Sequence, residues 1–195
     1  MEYTLDINRR YTYAEYLTWA DDKMRELLNG FIRLMSPVPT LKHTVASRRL
    51  GTAMINHVDR IGGDCQVFYA PFDVRIPTNP GETGDNQIYT VVQPDICVVC
   101  DTSKLDERGC LGAPDMVVEI LSLSSQRYDL NEKFNIYEAG GVKEYWVISP
   151  IEKGLNVFIL QGNGKFDAGT VYEGNVQVPV QTLKGLSISA EKLFN

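Results

Sequence analysis

Apolar positions along this chain alternate between two periods, and the switches between them mark the elements. From about residue 41 to 61, Ala46, Leu50, Ala53, Met54, Val58 and Ile61 recur at helical spacing, with His57 on the same face. Gly62-Gly63 ends that helix. Upstream, Tyr13 to Asp22 reads as a short helix. Arg25 to Met35 reads as a hairpin, because Asn29-Gly30 lies between two apolar segments. Ser36-Pro37-Val38-Pro39 breaks the second strand. Downstream come strands over Val67 to Ile76, Val91 to Val99 and Asp115 to Ser122. A turn-rich stretch from Thr78 and a charged loop from Asp101 to Pro114 separate them. Ser124 or Ser125 can cap a second helix, with Leu130, Phe134 and Tyr137 as its stripe and Gly140-Gly141 as its end. Val142 to Ser149 is a further strand, closed by Pro150. Leu155 to Leu160, Lys165 to Tyr172 and Gln177 to Leu186 add antiparallel strands before a last turn, Glu191 to Phe194. The core order is helix, three strands, helix, strand, which predicts an α/β fold with a mixed central sheet flanked by helices.

The 195 residues suit one domain over 1–195, with a core at about 41–150 and a β extension at about 151–195. Hydrophobic residues at 44% and charged residues at 23% exclude disorder and coiled coil. No apolar run reaches the ~18 residues of a membrane span. The first residues carry no apolar signal core, so a cytoplasmic protein is expected. The net charge of −6 argues against a protein that coats nucleic acid, yet leaves room for a local basic cleft. A chain this long needs no disulfide staples, so Cys65, Cys97, Cys100 and Cys110 are expected as buried, inert thiols. Cys97 and Cys100 share a strand three positions apart, so they face opposite ways and cannot grip one ion.

A few residues do not fit a plain core. Glu119 interrupts the apolar run from Met116 to Leu121. A carboxylate buried there costs several kcal/mol unless a cation or hydrogen bonds compensate. A structural salt bridge is one answer and a functional site the other. Asp95 opens a strand after Pro94. It can serve free backbone donors, or it can face Glu119. If the two strands are neighbours, the two carboxylates stand about 5 Å apart and need a cation between them. Asp115 shares a strand with Glu119 but lies about 13 Å away along it, so it is expected to be structural. Lys133 sits about 60° from Leu130 on the second helix. It can pair with Asp129 or reach toward the sheet. His57 reads as a satisfied core histidine. His43, at a helix start, is a cleft candidate. No phosphate-binding loop, Gly-x-Ser-x-Gly elbow, His-x-x-x-His pair or Cys/His zinc pattern is present.

Pro94-Asp95 followed by Glu119 in a later strand resembles the PD-(D/E)XK nuclease superfamily. Nearly the whole chain is similar, more specifically, to the Uma2 family of restriction-endonuclease-like proteins. The resemblance is carried by GluLeuLeuAsnGly at 26–30, MetSerPro at 35–37 with His43 behind it, AlaProPheAspVal at 70–74 and ValGlnProAsp at 92–95. It continues through GlyAlaProAspMetValValGluIleLeuSer at 112–122, GluLysPheAsnIleTyr at 132–137 and GlyValLysGluTyrTrpVal at 141–147. It implies the restriction-endonuclease-like fold. It also implies Asp95, Glu119 and the Ile120 carbonyl as ligands of Mg²⁺ or Mn²⁺. The superfamily lysine stands two positions after the glutamate, where this chain has Leu121. The resemblance implies that the lysine has moved to the next helix as Lys133. His43 and Glu26 are the candidates for additional site residues.

The expected activity is metal-dependent hydrolysis of DNA phosphodiester bonds. Lys42, Arg48, Arg49, Lys104, Arg108 and Arg127 are candidate phosphate contacts, though most surface cations are merely solvated. Cutting two strands would favour a homodimer. The rival reading is a nucleic-acid-binding or interaction module on a nuclease fold, with weak or lost catalysis. A third is a metal-dependent enzyme acting on another phosphoester.

Overall fold

The computed structural model describes residues 5–21, 23–35, 38–122 and 129–195. Helix α1 (Tyr13–Tyr16) opens on a capping box, in which Thr12 accepts from the Glu15 N–H and Glu15 returns a contact to the Thr12 N–H. It is shorter than the expected Tyr13 to Asp22, because the chain turns after Leu17 and lays Trp19 against the rings of Tyr11 and Tyr16. Strands β1 (Arg25–Leu28) and β2 (Phe31–Leu34) form the expected hairpin. Asn29 and Gly30 both have positive φ, 53° and 90°, as the tight turn requires. Helix α2 (Leu41–Ile61) begins at Thr40, whose side chain accepts from the His43 N–H, and ends at Gly62.

Both long strands expected next are broken at a proline. The first becomes β3 (Gln66–Tyr69) and β4 (Val74–Arg75), either side of Pro71. The second becomes β5 (Val91–Val92) and β6 (Ile96–Val99), either side of Pro94. A proline has no N–H to give to a ladder, and at each break the chain crosses from one sheet to the other. The charged loop holds a 3₁₀ turn, Thr102–Lys104, and a small hairpin, β7 (Leu105–Asp106) with β8 (Gly109–Leu111). Strand β9 (Met116–Ile120) follows. The expected caps Ser124 and Ser125 lie outside the described residues, as does Arg127. A π turn, Asp129–Lys133, leads into α3 (Phe134–Gly140), which Gly141 ends in the left-handed region. Then come β10 (Glu144–Ser149), β11 (Gly154–Ile159), β12 (Thr170–Glu173), β13 (Gln177–Pro179), β14 (Ser187–Ser189) and α4 (Ala190–Phe194). The stretches expected as strands from Lys165 and up to Leu186 are largely turns instead.

The fold is mixed α/β with two large sheets where the sequence suggested one. The first runs β2-β1-β5-β4-β8-β7 and the second β12-β11-β10-β9-β6-β3. The second contains the expected core strands β3, β6, β9 and β10, with β9 and β10 parallel and the other pairs antiparallel. On one face, Ala46, Leu50 and Met54 of α2 pack on Ile96, Val98, Val118, Ile120, Trp146 and Ile148. On the other, Cys97, Val99, Val117 and Val147 meet Val74, Val92 and Cys110 of the first sheet and Ile136 and Tyr137 of α3. Each fully buried aliphatic side chain contributes about 1.5–3 kcal/mol. The unbroken apolar runs of β6 and β9 follow from burial on both faces.

The thiol expectation holds for half the cysteines. Cys97 and Cys110 are free and buried. Burial first, then Cys110 and Glu119, pushes the Cys97 thiol far above its usual range. Burial likewise lifts Cys110 to about 11, so neither is reactive. Cys65 and Cys100 instead form a disulfide. The pairing Gln66↔Val99 sets the register. The next pair outward is Cys65 opposite Cys100, a juxtaposition that spacing along the chain does not reveal. Among the described residues, no helix is long and apolar enough to cross a membrane.

Gly109 holds β8 tight against the segment before β4. Its φ is +120°, and a Cβ there would stand 2.2 Å from the Asp73 carbonyl oxygen. Gly109→Ala is expected to cost about 2–4 kcal/mol, read as a lowered urea midpoint at unchanged slope.

Candidate active site

Strands β6 and β9 pair antiparallel with Ile96 opposite Val118. Continuing that register one step sets Asp95 opposite Glu119, and opposite residues project from the same face. That face is the one covered by the first sheet and α3. The sequence condition for a shared site, that these strands be neighbours, is therefore met.

Each carboxylate is held from a different part of the fold. Asp95 Oδ2 accepts from the Ile120 N–H at 2.6 Å, which ties it to the far strand. Its Oδ1 lies 3.0 Å from His43 Nε2, projected from the first turn of α2. His43 Nδ1 is buried and has no partner among the described residues. Glu119 Oε1 accepts from the Tyr137 hydroxyl at 2.6 Å and from Lys133 Nζ at 2.9 Å. Lys133 Nζ lies a further 2.9 Å from Glu26 Oε1 on β1. Glu26 Oε1 also accepts the Gln93 N–H at 2.7 Å, just before Pro94-Asp95. Glu26, Glu119 and Lys133 are each about 5% exposed or less. Three charges this deep persist because the ammonium lies against both carboxylates and each group is hydrogen-bonded. Lys133 therefore reaches the sheet, as its flank position allowed.

The remaining sequence candidates sort clearly. His57 is a satisfied core histidine, with Nε2 on the Lys184 carbonyl and Nδ1 on Arg60. Asp115 is structural. Burial raises its pKa, but Lys143 and the Cys100 N–H outweigh this and leave it below the ordinary value. Arg108 pairs with Asp85, Arg49 donates to the Lys192 carbonyl and Lys104 to the Ala113 carbonyl. Lys42 and Arg48 are exposed on α2. Sequence reasoning missed Tyr137 as a functional partner, since it counted only as an apolar stripe residue. It also missed Gln93, whose backbone is what reaches Glu26. A hydroxyl on a stripe that faces a buried glutamate was the available signal for Tyr137.

The chain matches the model of the Uma2 family, described as "Putative restriction endonuclease", over residues 13–191. It belongs to the Uma2 family. A relative, an uncharacterized protein of Synechocystis, is 29% identical over 183 residues, which is 92% of this chain and 89% of that one. A crystal structure of "a putative nuclease belonging to DUF820" from Anabaena variabilis matches with a TM-score of 0.73. It is 23% identical and covers 94% of this chain and 97% of that one, which establishes the shared fold. In this Uma2 chain the ordered blocks read from sequence, from the hairpin to β10, all fall within the matched span.

A hard divalent cation takes oxygen donors. Asp95 and Glu119 offer carboxylate oxygens, and the Lys133 ammonium already stands on Glu119 as a cation in the cluster. Among the described residues no group of three or more His, Cys, Asp or Glu side chains could together hold an ion. An ion held by these two carboxylates alone would need waters to complete its shell, as Mg²⁺ commonly does.

Tyr137 is a donor at all ordinary pH values. Burial, then Glu119 and Glu26, holds its pKa well above 10. A phenol with a folded pKa above its unfolded value of about 10 carries stability that is complete below pH ~10 and drains as pH rises further. Tyr137→Phe is expected to cost about 1.5–3 kcal/mol near neutrality, the scale of a hydrogen bond to a charged group. It should also reduce the loss of stability above pH ~10. Chemical unfolding of both proteins across pH 7–11 checks both effects.

Proposed function

We propose that this protein is a metal-dependent endonuclease that hydrolyses DNA phosphodiester bonds. The observation that carries the reading is the facing pair Asp95 and Glu119 with Lys133 on the same cluster. Asp95, Glu119 and the Ile120 carbonyl would hold Mg²⁺ or Mn²⁺. Such an ion makes water a stronger acid and offsets charge on the scissile phosphate. The chain's own residues do the positioning. His43 and the Ile120 N–H fix the two oxygens of Asp95. Tyr137 fixes Glu119. Lys133 supplies a cation to the transition-state phosphate, acting through fixed electrostatics. The DNA is bound through phosphate contacts from exposed cations, Lys42 and Arg48 on α2 among them. We propose a cytoplasmic protein, in which pairing of two copies would bring two sites to two strands. The Cys65–Cys100 disulfide counts against that placement, since disulfides are rare in the cytoplasm.

A second reading, a nucleic-acid-binding or interaction module with weak or lost catalysis, is favoured by one observation, the lysine held between two carboxylates. Plasmid nicking at low salt with Mg²⁺ or Mn²⁺ separates the two. Wild type is expected to nick and linearise, and Asp95→Ala, Glu119→Ala and Lys133→Ala to lose about 100-fold or more of that rate. Cleavage surviving in Asp95→Ala would remove the assignment. A DNA mobility shift without cleavage by wild type would support the binding module.

A further inference from the structure

Lys133 and a divalent ion would compete for one oxygen. Nζ stands 2.9 Å from Glu119 Oε1 and 2.9 Å from Glu26 Oε1. An ammonium and a divalent ion on the same carboxylate oxygen repel strongly in a poorly hydrated cluster. The two glutamates differ in how they are anchored. Glu119 lies on β9 opposite Asp95, inside the proposed ligand set. Glu26 lies on β1, in the other sheet, and its Oε1 is pinned by the Gln93 N–H at 2.7 Å. Gln93 belongs to the crossing segment that presents Asp95, so Glu26 is fixed relative to the site from the first sheet. Arg33, paired with Glu26 in the β1–β2 register, is itself engaged by Glu132, the neighbour of Lys133. The hairpin and the lysine turn are thereby latched together at two adjacent points.

We propose that Glu26 is a positioning residue that keeps Lys133 when a divalent cation engages Glu119. This rests on the metal-dependent reading above. Without the ion, Lys133 is shared between the two glutamates. With the ion, Nζ gives up Glu119 Oε1 and stays on Glu26, which leaves its charge beside the reacting phosphate. Glu26 touches neither the ion nor the substrate. It lowers the cost of moving Lys133 off Glu119.

A double-mutant cycle on Mn²⁺ affinity, measured by calorimetry, tests this. The proteins are wild type, Glu26→Gln, Lys133→Met and the double variant, each checked for fold by circular dichroism. Glu26→Gln should weaken Mn²⁺ binding about tenfold, a usual coupling within one network, because the ammonium is then held by Glu119 against the ion. Lys133→Met should tighten binding. In the Lys133→Met background, Glu26→Gln should change affinity by about threefold or less. A full tenfold loss persisting there would make Glu26 a ligand and overturn the proposal. Wild type that binds Mn²⁺ while the cycle shows no coupling sinks the positioning role alone. Wild type that binds no Mn²⁺ sinks the metal-dependent reading as well. Because Lys133→Met removes the cation from two buried carboxylates and lowers stability, a wild-type measurement stands beside the cycle. The ¹⁵N signal of Lys133 Nζ, titrated with Mg²⁺, should shift at saturation and stay protected from exchange. An unshifted signal, or one that loses protection, contradicts retention by Glu26.

Discussion

The pairing of β6 with β9 places two carboxylates opposite each other on a covered face, and much of the site is a response to that constraint. Facing carboxylates repel, and the buried one, Glu119, costs several kcal/mol unless compensated. The compensation comes from four directions. The Ile120 N–H and His43 satisfy Asp95, while Lys133 and Tyr137 satisfy Glu119. Remove the register and these contacts lose their reason to meet.

The two proline crossings make this convergence possible. Pro71 and Pro94 each end a strand and send the chain into the other sheet. The second crossing brings Gln93 and Asp95 to opposite sides of one short segment, so Gln93 serves Glu26 in the first sheet and Asp95 serves the second. The hairpin β1–β2, which reads locally as a peripheral ornament, thus contributes a buried charge to the centre. The same architecture explains the thiols. Cys97 lies on the face shared with Glu119, where burial keeps it inert. Cys65 and Cys100 lie just past the ends of paired strands, where two backbones already run side by side.

Local chemistry made a large part of this legible. The Asn29-Gly30 turn, the α2 periodicity with its Gly62 stop, and the helix end at Gly141 are decided by residues within a few positions of each other. Glu119 announced itself because a charge in an apolar strand has few bland explanations. The strand breaks were harder to place. Apolar residues stand on both sides of Pro71 and of Gln93-Pro94-Asp95, so each stretch reads as one strand although the ladder does not continue. Tyr137 was hidden for the opposite reason: its ring satisfies the stripe pattern, and its hydroxyl matters only once β9 lies beneath it.

The sequence by itself determined the core order of helix, three strands, helix and strand, the burial of the β9 run, and the residues whose charge needed an answer. These depend on period, turn chemistry and the cost of burying charge, all of which are local. Only the tertiary structure decided which groups supply that answer. Whether Lys133 pairs along its own helix or with Glu26 and Glu119, and whether Cys65 meets Cys100, depends on strand register and on which sheet a segment joins. Those are set by the packing of the whole core, where contacts between residues far apart in the chain outweigh the preferences of any one stretch.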